Sequence, residues 1–326
     1  MTTDRLLITG GTGFIGSHLV ERCVESGYQV RAFDRYNPNN SWGWLEFSRY
    51  RSEIEVLLGD IRDYSSVLNA IKGCSAVFHL AALVGIPYSY ESPLSYVRTN
   101  IEGTYNVLEA ARTLGAQQVV ITSTSEVYGT AQQFPISEEH PMTAQSPYAA
   151  TKIAADNLAL SYFRSFGTAV KIARPFNTYG PRQSARAIIP TIIAQLLADK
   201  EFLELGNLKP TRDFTYVKDT VDALLAIAAC DQAKGQVLNI GNNAEISISE
   251  LVNKIAKICD RKIQIVQKPA RQRPVESEID KLLSDNSKIQ RMTNWRPTVS
   301  LDAGLEETLQ WMIRNKVGYK AQVYAI

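Results

Sequence analysis

The segment TGGTGFIGSHL, at positions 9–19, predicts the fold of this chain. Gly10, Gly13 and Gly16 form the pattern G-x-x-G-x-x-G between a short apolar strand, residues 5–9, and a helix. Glycines in such a turn let the backbone approach a pyrophosphate, whose charge then lies at the amino terminus of the helix. A glycine triplet also fits a generic turn, but its position directly after the first strand favours a dinucleotide site.

Two carboxylates follow the next two predicted strands. Asp34 ends the second strand, residues 29–33, where it would accept hydrogen bonds from the ribose hydroxyls and repel a 2′-phosphate, which favours NAD over NADP. Arg35, directly after it, could instead accommodate that phosphate. Asp60 follows the third strand, residues 54–58. It could accept a hydrogen bond from the adenine amino group or cap the next helix.

Apolar strands and helices alternate along the first half of the chain, which predicts parallel strands with helices on both faces of the sheet. The fold class is therefore α/β. We expect a Rossmann-type doubly wound parallel sheet in residues 1–175 and a smaller α/β substrate-binding lobe in residues 176–326, with some exchange of chain between the lobes. The further strands predicted for the larger lobe are residues 75–79, 119–122 and 170–172, and its long helices are residues 94–114 and 146–166. In the smaller lobe we predict a loop at 177–187, helices at 188–197, 220–229, 249–258 and 301–314, and extended segments at 212–219, 236–240 and 262–267.

Composition excludes several classes of protein. The 326 residues are 45% hydrophobic and 21% charged with a net charge of +2, and the cations are scattered, so we expect neither a nucleic-acid nor a membrane partner. No apolar run approaches the roughly 20 residues that cross a bilayer. The four cysteines form no C-x-x-C pair, which indicates a reduced compartment and no metal site. Together with the absence of a signal-peptide pattern, this predicts a cytoplasmic protein.

The predicted chemistry lies between residues 118 and 152. QVVITSTSEVYG, residues 118–129, is a buried strand that ends in Thr124, Ser125 and Glu126, and SPYAATK, residues 146–152, places Tyr148 and Lys152 one helical turn apart. A tyrosine of ordinary pKa, about 10, is a poor base at neutral pH. The Lys152 ammonium and an oxidised nicotinamide would lower the pKa of Tyr148, and a decrease of about three units corresponds to roughly 4 kcal/mol. Thr124 would hydrogen-bond the hydroxyl that is oxidised.

With these motifs in place, the chain resembles the extended short-chain dehydrogenase/reductase (NAD-dependent epimerase/dehydratase) family over essentially its whole length. The resemblance lies in TGGTGFIGSHL, HLAA (79–82), TNIEGT (99–104), Thr124, Tyr148 with Lys152, RPFNTYGPR (174–182) and RDFTYVKD (212–219). It implies NAD in the larger lobe, a nucleotide sugar under the smaller lobe, and a homodimer formed through a four-helix interface by the two long helices. The implied cofactor contacts are Gly10, Gly13, Phe14, Ile15, Gly16, Asp34, Asp60, Ile61, Leu80, Ala81, Ala82, Asn100, Thr122, Tyr148 and Lys152.

The resemblance also implies substrate contacts. Asn177, Arg212 and Arg273 would lie near the nucleotide diphosphate, and arginine forks do match phosphate oxygens. Each arginine could instead form a solvated or inter-lobe ion pair. Val84, Pro87, Arg186 and Glu126 complete the expected substrate site.

Glu126 decides the reaction class. A 4-epimerase oxidises C4 and returns the hydride, which requires no carboxylate beside the tyrosine. A 4,6-dehydratase must also remove the C5 proton and expel the C6 hydroxyl as water, and a carboxylate close to Thr124 suits that need. Glu126 could alternatively cap a helix or pair with an arginine.

The segment STSEVYG resembles two branches of the family. One branch contains 4,6-dehydratases: those acting on dTDP-glucose have an Asp where Ser125 stands, and those acting on GDP-mannose have Ser-Glu as here. The other contains UDP-glucuronate decarboxylases, which also have Thr-Ser-Glu. Without that Asp, Glu126 would serve as both base and acid, assisted by Ser125 or a water.

Two loops favour dehydration over decarboxylation. NPNNSWGWL (37–45) and LVGIPYSY (83–90) resemble 4,6-dehydratases of the legionaminic-acid type, which act on UDP- or GDP-linked N-acetylglucosamine. Neither loop adds a cation for a C6 carboxylate. Trp42 and Trp44 could equally pack between the lobes. The sequence thus predicts a nucleotide-sugar 4,6-dehydratase, with a UDP-glucuronate decarboxylase, a 4-epimerase, or a non-catalytic NAD-sensing or scaffold protein as alternatives.

Overall fold

The computed structural model describes residues 4–198 and 202–315. Its strands are β1 Arg5–Thr9, β2 Gln29–Arg35, β3 Ile54–Gly59, β4 Ala76–His79, β5 Gln118–Thr122, β6 Val170–Pro175, β7 Asn177–Tyr179, β8 Phe202–Leu205, β9 Thr211–Tyr216, β10 Val237–Ile240, β11 Glu245–Ser247, β12 Gln264–Gln267 and β13 Lys281–Leu282. Its α-helices are α1 Phe14–Glu25, α2 Tyr64–Ile71, α3 Ile86–Glu91, α4 Pro93–Tyr96, α5 Gly103–Leu114, α6 Pro147–Phe166, α7 Ile188–Leu197, α8 Val217–Ala229, α9 Ile248–Ile258, α10 Ser287–Thr293 and α11 Leu301–Asn315.

A parallel sheet of seven strands forms the larger lobe, in the order β10-β6-β5-β4-β1-β2-β3. The order reverses between β1 and β4, so the loops at the carboxyl ends of these strands diverge and leave a crevice. This confirms the predicted fold class. The glycine turn and the segment after β5 both open onto this edge of the sheet.

The sheet is buried on both faces because successive apolar side chains point to opposite sides. Leu6 and Ile8 of β1 join the core on one face, whereas Leu7 joins the core on the other. Val120 and Val119 of β5 likewise join the cores on opposite faces of the sheet. Unbroken apolar strands of this kind cannot be solvated on either side, so helices must cover both.

The smaller lobe is built around β9. This strand pairs with β7 and β13 in parallel and with β11 in antiparallel, and a separate parallel pair joins β8 and β12. Helices α7, α9 and α11 contribute apolar side chains to one core with these strands, including Ile192, Leu251 and Leu309. Among the described residues, no helix is long and apolar enough to cross a membrane.

Several predicted boundaries were wrong. The segment 236–240 was assigned from the sequence to the smaller lobe, but its residues Val237–Ile240 form β10 at the edge of the large sheet, where Leu238 and Ile240 are fully buried beside β6. Strand β6 continues to Pro175, and the predicted loop at 177–187 begins with β7, which pairs with β9. Helix α8 begins at Val217 rather than at residue 220. Long-range strand pairing, which local periodicity does not reveal, decided these differences.

The predicted helix at 94–114 is present but contains a π-helical turn, Val97–Glu102, between α4 and α5. Asn100 lies in this turn and is buried. Its side-chain amide donates to Leu83 O at 3.0 Å and to Thr151 Oγ1 at 3.0 Å, and its Oδ1 accepts from Leu83 N at 2.9 Å. The turn therefore fixes the loop after β4 against α6.

Candidate active site

A cavity of about 1100 Å³ opens at the carboxyl ends of the large sheet and continues under the smaller lobe. Most of the residues predicted to bind cofactor or substrate line it. They are Gly10, Gly13, Phe14, Ile15, Gly16, Asp34, Asp60, Ile61, Leu80, Ala81, Ala82, Thr122, Thr124, Tyr148 and Lys152, together with Val84, Pro87, Glu126, Asn177, Arg186 and Arg273. Ser125, Asn100 and Arg212 do not line it, although all three are buried nearby.

The glycine turn fits a dinucleotide because no side chain could be added at Gly10 or Gly16 without a clash or backbone strain. Gly10 has a φ of +70°, and a β-carbon at Gly16 would lie 2.0 Å from Gly10 O. Helix α1 begins directly after Gly13 with no acidic residue in its first turn, so its amino terminus favours an anion. The backbone can therefore approach a pyrophosphate closely.

Asp34 is held in place by the glycine turn. Its Oδ2 accepts from Thr12 N at 3.0 Å and from Thr12 Oγ1 at 2.6 Å, and its Oδ1 accepts from Arg35 N at 2.7 Å. A carboxylate oxygen has lone pairs for more than one donor, so this anchored group can still accept from a ribose hydroxyl. No sequence pattern marks Thr12, which acts through Asp34.

The helix-cap alternative for Asp60 was wrong. Asp63 caps α2 by accepting from Ser65 N at 3.0 Å. Asp60 instead accepts from Arg62 Nε at 2.9 Å and from Arg62 N at 2.9 Å at the edge of the cavity. The hydrogen bond from Arg62 lowers the pKa of the Asp60 carboxyl below its usual range.

The HLAA motif forms a wall of the cavity. His79 lies between Thr9 Oγ1, at 2.8 Å, and Thr104 Oγ1, at 3.1 Å, and burial lowers the pKa of His79 to about 3, so the ring is neutral. Thr9 Oγ1 in turn accepts from Leu80 N and Ala81 N, each at 3.2 Å. The buried histidine thus orients the hydroxyl that holds the cavity wall beside Gly10.

Tyr148 and Lys152 lie on the same face of α6, beside the end of β5. Thr124 hydrogen-bonds the phenol of Tyr148, and Lys152 Nζ donates to Thr122 O at 2.7 Å. Burial raises the pKa of Tyr148 above its usual value, and the Thr124 hydrogen bond opposes this only in part. The expected lowering of this pKa is therefore not present in the protein alone. Burial also lowers the pKa of Lys152, and a nicotinamide charge enters only with the cofactor.

A buried polar network lies next to Lys152 on α6. Asp156, one turn after Lys152, forms an ion pair with Arg174 at 2.9 Å and accepts from Ser123 Oγ at 2.8 Å. The charge of Asp156 raises the pKa of Lys152, against the effect of burial. Such a network is stable only when its charges are paired, as they are here.

Glu126 lines the cavity on the side of the smaller lobe. Its Oε2 lies 3.8 Å from Arg273 Nη1, so the arginine alternative raised for Glu126 is present in the structure. Arg212 lies behind this pair, 3.4 Å from Glu278, and donates to Thr211 O at 2.9 Å. Burial lowers the pKa of Arg212, and the charge of Glu126 acts in the opposite direction.

Residues from both lobes enclose the segment 83–90, whose second half forms the start of α3 rather than a loop. A β-carbon added at Gly85 would lie 3.1 Å from Arg186 Nη1, so a cation does approach this segment from the smaller lobe. Tyr96 is fully buried, and its ring lies 6.2 Å from the ring of Tyr148. Nothing in its local sequence pattern predicts this position. Trp44 packs edge-on against Trp311 of α11 at 5.3 Å, which supports the alternative of inter-lobe packing.

Within residues 4–198 and 202–315, no cluster of His, Cys, Asp or Glu side chains could hold a metal ion. The donor set of the cavity is instead hydroxyls, one lysine, arginines and carboxylates. It fits a dinucleotide together with a second anionic ligand.

Comparisons with known proteins agree with this arrangement. The sequence matches the GDP-mannose 4,6 dehydratase protein family over residues 7–308. It is 35% identical to a UDP-N-acetyl-alpha-D-glucosaminuronate decarboxylase of Bacillus cytotoxicus, over 94% of this chain and 97% of that protein. The dTDP-glucose 4,6-dehydratase DesIV of Streptomyces venezuelae, solved with NAD bound, superimposes with a TM-score of 0.87 at 29% identity, covering 96% and 98% of the two chains. A UDP-glucose 4-epimerase of Thermotoga maritima gives a TM-score of 0.87 at 28% identity, covering 96% and 99%.

Proposed function

Because the chain belongs to the GDP-mannose 4,6 dehydratase family of NAD-dependent nucleotide-sugar enzymes, we propose that it is a nucleotide-sugar 4,6-dehydratase. Its substrate in this proposal is UDP- or GDP-linked N-acetylglucosamine, and its product is the 4-keto-6-deoxy sugar. The observation that carries the proposal is the carboxylate of Glu126, which lines the same cavity as Tyr148 and Thr124.

The side chains divide the reaction between them. Gly10, Gly13 and Asp34 would hold NAD, and the cofactor would supply hydride acceptance at C4 and hydride return at C6. Thr124 orients the C4 hydroxyl, and Tyr148 takes its proton with Lys152 close by. Glu126 removes the C5 proton, which the C4 ketone makes acidic, and a proton delivered to the C6 hydroxyl lets it leave as water. Ser125 does not reach the cavity, so Glu126 carries both proton transfers.

The remaining assignments follow the same proposal. Asn177, Arg186 and Arg273 bind the nucleotide sugar from the smaller lobe, and Val84 and Pro87 contact the sugar ring. Arg212 supports Arg273 and Glu126 from outside the cavity rather than by touching the ligand. Asn100 holds the loop after β4 instead of touching NAD. A cytoplasmic location remains a prediction from the sequence.

Decarboxylation is the second candidate. The similarity to the Bacillus decarboxylase supports it, and so does Arg186, because a guanidinium beside Gly85 could bind a C6 carboxylate. A 4-epimerase would leave Glu126 without a role. An NAD-sensing or scaffold protein would have no use for a buried Thr124–Tyr148–Lys152 group.

The reactions differ in their products. The protein is incubated in deuterated water with NAD and UDP- or GDP-N-acetylglucosamine, and in separate reactions with UDP-glucuronate or its N-acetylated analogue. The products are followed by NMR. We expect a 4-keto-6-deoxy sugar with deuterium at C5. Carbon dioxide released from UDP-glucuronate or its N-acetylated analogue, or a C4 epimer as the sole product, would overturn dehydration. NAD binding without turnover of any of these sugars would favour the non-catalytic alternative.

A further inference from the structure

A segment of the smaller lobe, residues 268–278, reaches the larger lobe beside the cavity, and we name it the strap. Both its ends are attached within the smaller lobe. Lys268 N donates to Leu205 O at 2.8 Å, and Glu278 Oε1 lies 3.4 Å from Arg212 Nη2. Between these ends the strap carries Arg273, which lines the cavity and approaches Glu126. The position of this guanidinium therefore depends on how the middle of the strap is held.

The middle of the strap has little apolar anchoring of its own. Its local structure consists of two short 3₁₀ turns, Pro269–Arg271 and Val275–Ser277. Val275 is 88% exposed, so it contributes no buried surface at this point. The strap must therefore be positioned by polar contacts with its surroundings.

Two such contacts come from the larger lobe. The hydroxyl of Tyr90 lies 2.5 Å from Ser277 Oγ, and Gln145 Nε2 donates to Glu276 O at 2.9 Å. The ring of Tyr90 packs against the cluster formed by Ile86, Tyr96 and Tyr148. Tyr90 thus connects the ring cluster that contains the proposed base to the strap that carries Arg273.

We infer that Tyr90 is a positioning residue for nucleoside diphosphate binding: its hydroxyl holds the strap so that Arg273 faces the cavity. This inference rests on the proposed function, in which Arg273 binds the diphosphate of a nucleotide sugar. Tyr90 itself is not expected to touch the ligand. It ends the LVGIPYSY loop, whose sequence suggested sugar contacts, and its hydroxyl is directed to the other lobe instead.

The test is a double-mutant cycle read out as binding of UDP and of GDP by isothermal titration calorimetry, with NAD binding measured in parallel. Tyr90→Phe removes only the hydroxyl, and we expect it to weaken binding of the preferred nucleotide about fivefold, as for the loss of one net hydrogen bond. NAD affinity is expected to stay unchanged. In an Arg273→Ala background, the same substitution is expected to change nucleotide binding by less than about twofold, because the strap no longer presents a cation.

Tyr50→Phe is the matched control. It also removes a tyrosine hydroxyl that donates a hydrogen bond, to Glu25 at 3.0 Å, but Tyr50 lies outside the cavity. Nucleotide affinity that is equal in Tyr90→Phe, Tyr50→Phe and the unaltered protein would overturn the inference. So would a Tyr90→Phe effect that persists in full without Arg273, because it would then be a general structural effect.

The inference and the proposed function can fail separately. Nucleotide binding that is insensitive to Tyr90→Phe overturns the inference alone. If the double-mutant cycle of Tyr90→Phe and Arg273→Ala gives the expected affinities but the protein does not dehydrate the sugar, only the proposed reaction is overturned. If the unaltered protein binds neither UDP nor GDP, both are overturned.

Discussion

At the residue scale, the carboxylate of Glu126 lines the cavity and lies close to the guanidinium of Arg273. A carboxylate 3.8 Å from a guanidinium that is itself partly exposed is not held as tightly as one in a short bidentate pair. It can therefore exchange its arginine contact for a substrate hydroxyl.

Glu126→Gln tests the division of labour in the active site. The amide keeps the shape of the side chain but cannot take the C5 proton, so we expect C4 oxidation with NADH formation to persist while water elimination falls at least about 100-fold. Single-turnover absorbance and product NMR measure the two steps separately. Glu138→Gln, which changes a glutamate that accepts from Asn239 N outside the cavity, is the control. Full dehydration by the Glu126 variant would remove this residue from the mechanism.

In the proposed mechanism, the Lys152 ammonium lowers the pH at which Tyr148 can act as a base. Reaction requires the ionised phenol, so the rate rises with pH through the pKa of Tyr148, and burial already raises that pKa. Removing the Lys152 ammonium is expected to raise the pKa of Tyr148 further, because a nearby positive charge favours the phenolate. We therefore expect Lys152→Met to move the acid limb of the kcat/KM profile to higher pH by about one unit or more.

Lys171→Met provides the comparison for this prediction. Lys171 is also fully buried, and its Nζ donates to Ala228 O at 2.6 Å, but it lies outside the cavity. This variant is expected to lose stability and to keep the wild-type pH profile. An acid limb that stays in place when Lys152 is replaced would show that the lysine does not tune the tyrosine.

At the scale of elements, the π turn between α4 and α5 determines what Asn100 does. Because the turn is wider than an α-helical one, it directs this side chain at the backbone of Leu83 and at Thr151. The amide that the family resemblance assigned to NAD is thereby occupied by protein atoms. Its role is to fix the loop that leads into α3.

Asn100→Ala is expected to destabilise the protein by about 2–4 kcal/mol, because the N–H and C=O of Leu83 lose their partner inside the fold. Asn106→Ala is the matched control: it removes a single hydrogen bond, from Nδ2 to Ile61 O at 3.0 Å, and is expected to cost about 1 kcal/mol. Urea unfolding measures both. Equal losses in the two variants would contradict the role assigned to the π turn.

At the scale of the whole molecule, a partly buried histidine, His18, joins the two lobes. His18 of α1 donates through Nε2 to Pro181 O at 3.1 Å, and Arg182 next to it bonds Glu21 at 3.0 Å. Burial, with a smaller effect from Arg182, lowers the pKa of His18 from 6.5 to about 4. Between pH 6.5 and 4, the unfolded chain therefore binds a proton at His18 that the folded protein does not bind.

Because the pKa of His18 is lower in the folded protein, the free energy of unfolding decreases as the pH falls. The stability contributed by neutral His18 is fully present above pH 6.5 and is lost as the pH falls towards 4. His18→Gln keeps an N–H donor for Pro181 but cannot be protonated. We expect its free energy of unfolding to decrease less over this pH range than that of the unaltered protein, by up to about 3 kcal/mol. Parallel pH profiles of the two proteins would contradict this.

The homodimer remains a prediction, and the exposed faces of the long helices allow it to be tested. Val97 and Tyr105 are 44% and 46% exposed on the first of these helices, residues 94–114. A chain of 36.3 kDa is expected to show twice that mass by light scattering, and Val97→Asp with Tyr105→Glu is expected to yield the monomer by placing charges in an apolar interface. Phe47→Asp, an exposed aromatic position away from these helices, is the control. A monomeric unaltered protein would refute the four-helix interface.

The sequence by itself determined the Rossmann-type sheet, the glycine turn and the placement of Tyr148 and Lys152 on one helical face. These features depend on local periodicity and on spacings within a turn or a helix, which the order of residues encodes directly. The tertiary structure alone decided that β10 joins the large sheet and that Arg273 approaches Glu126. It also decided that Tyr90 meets Ser277, 187 residues away. Such contacts join residues that are far apart in the chain, and no local pattern specifies that geometry.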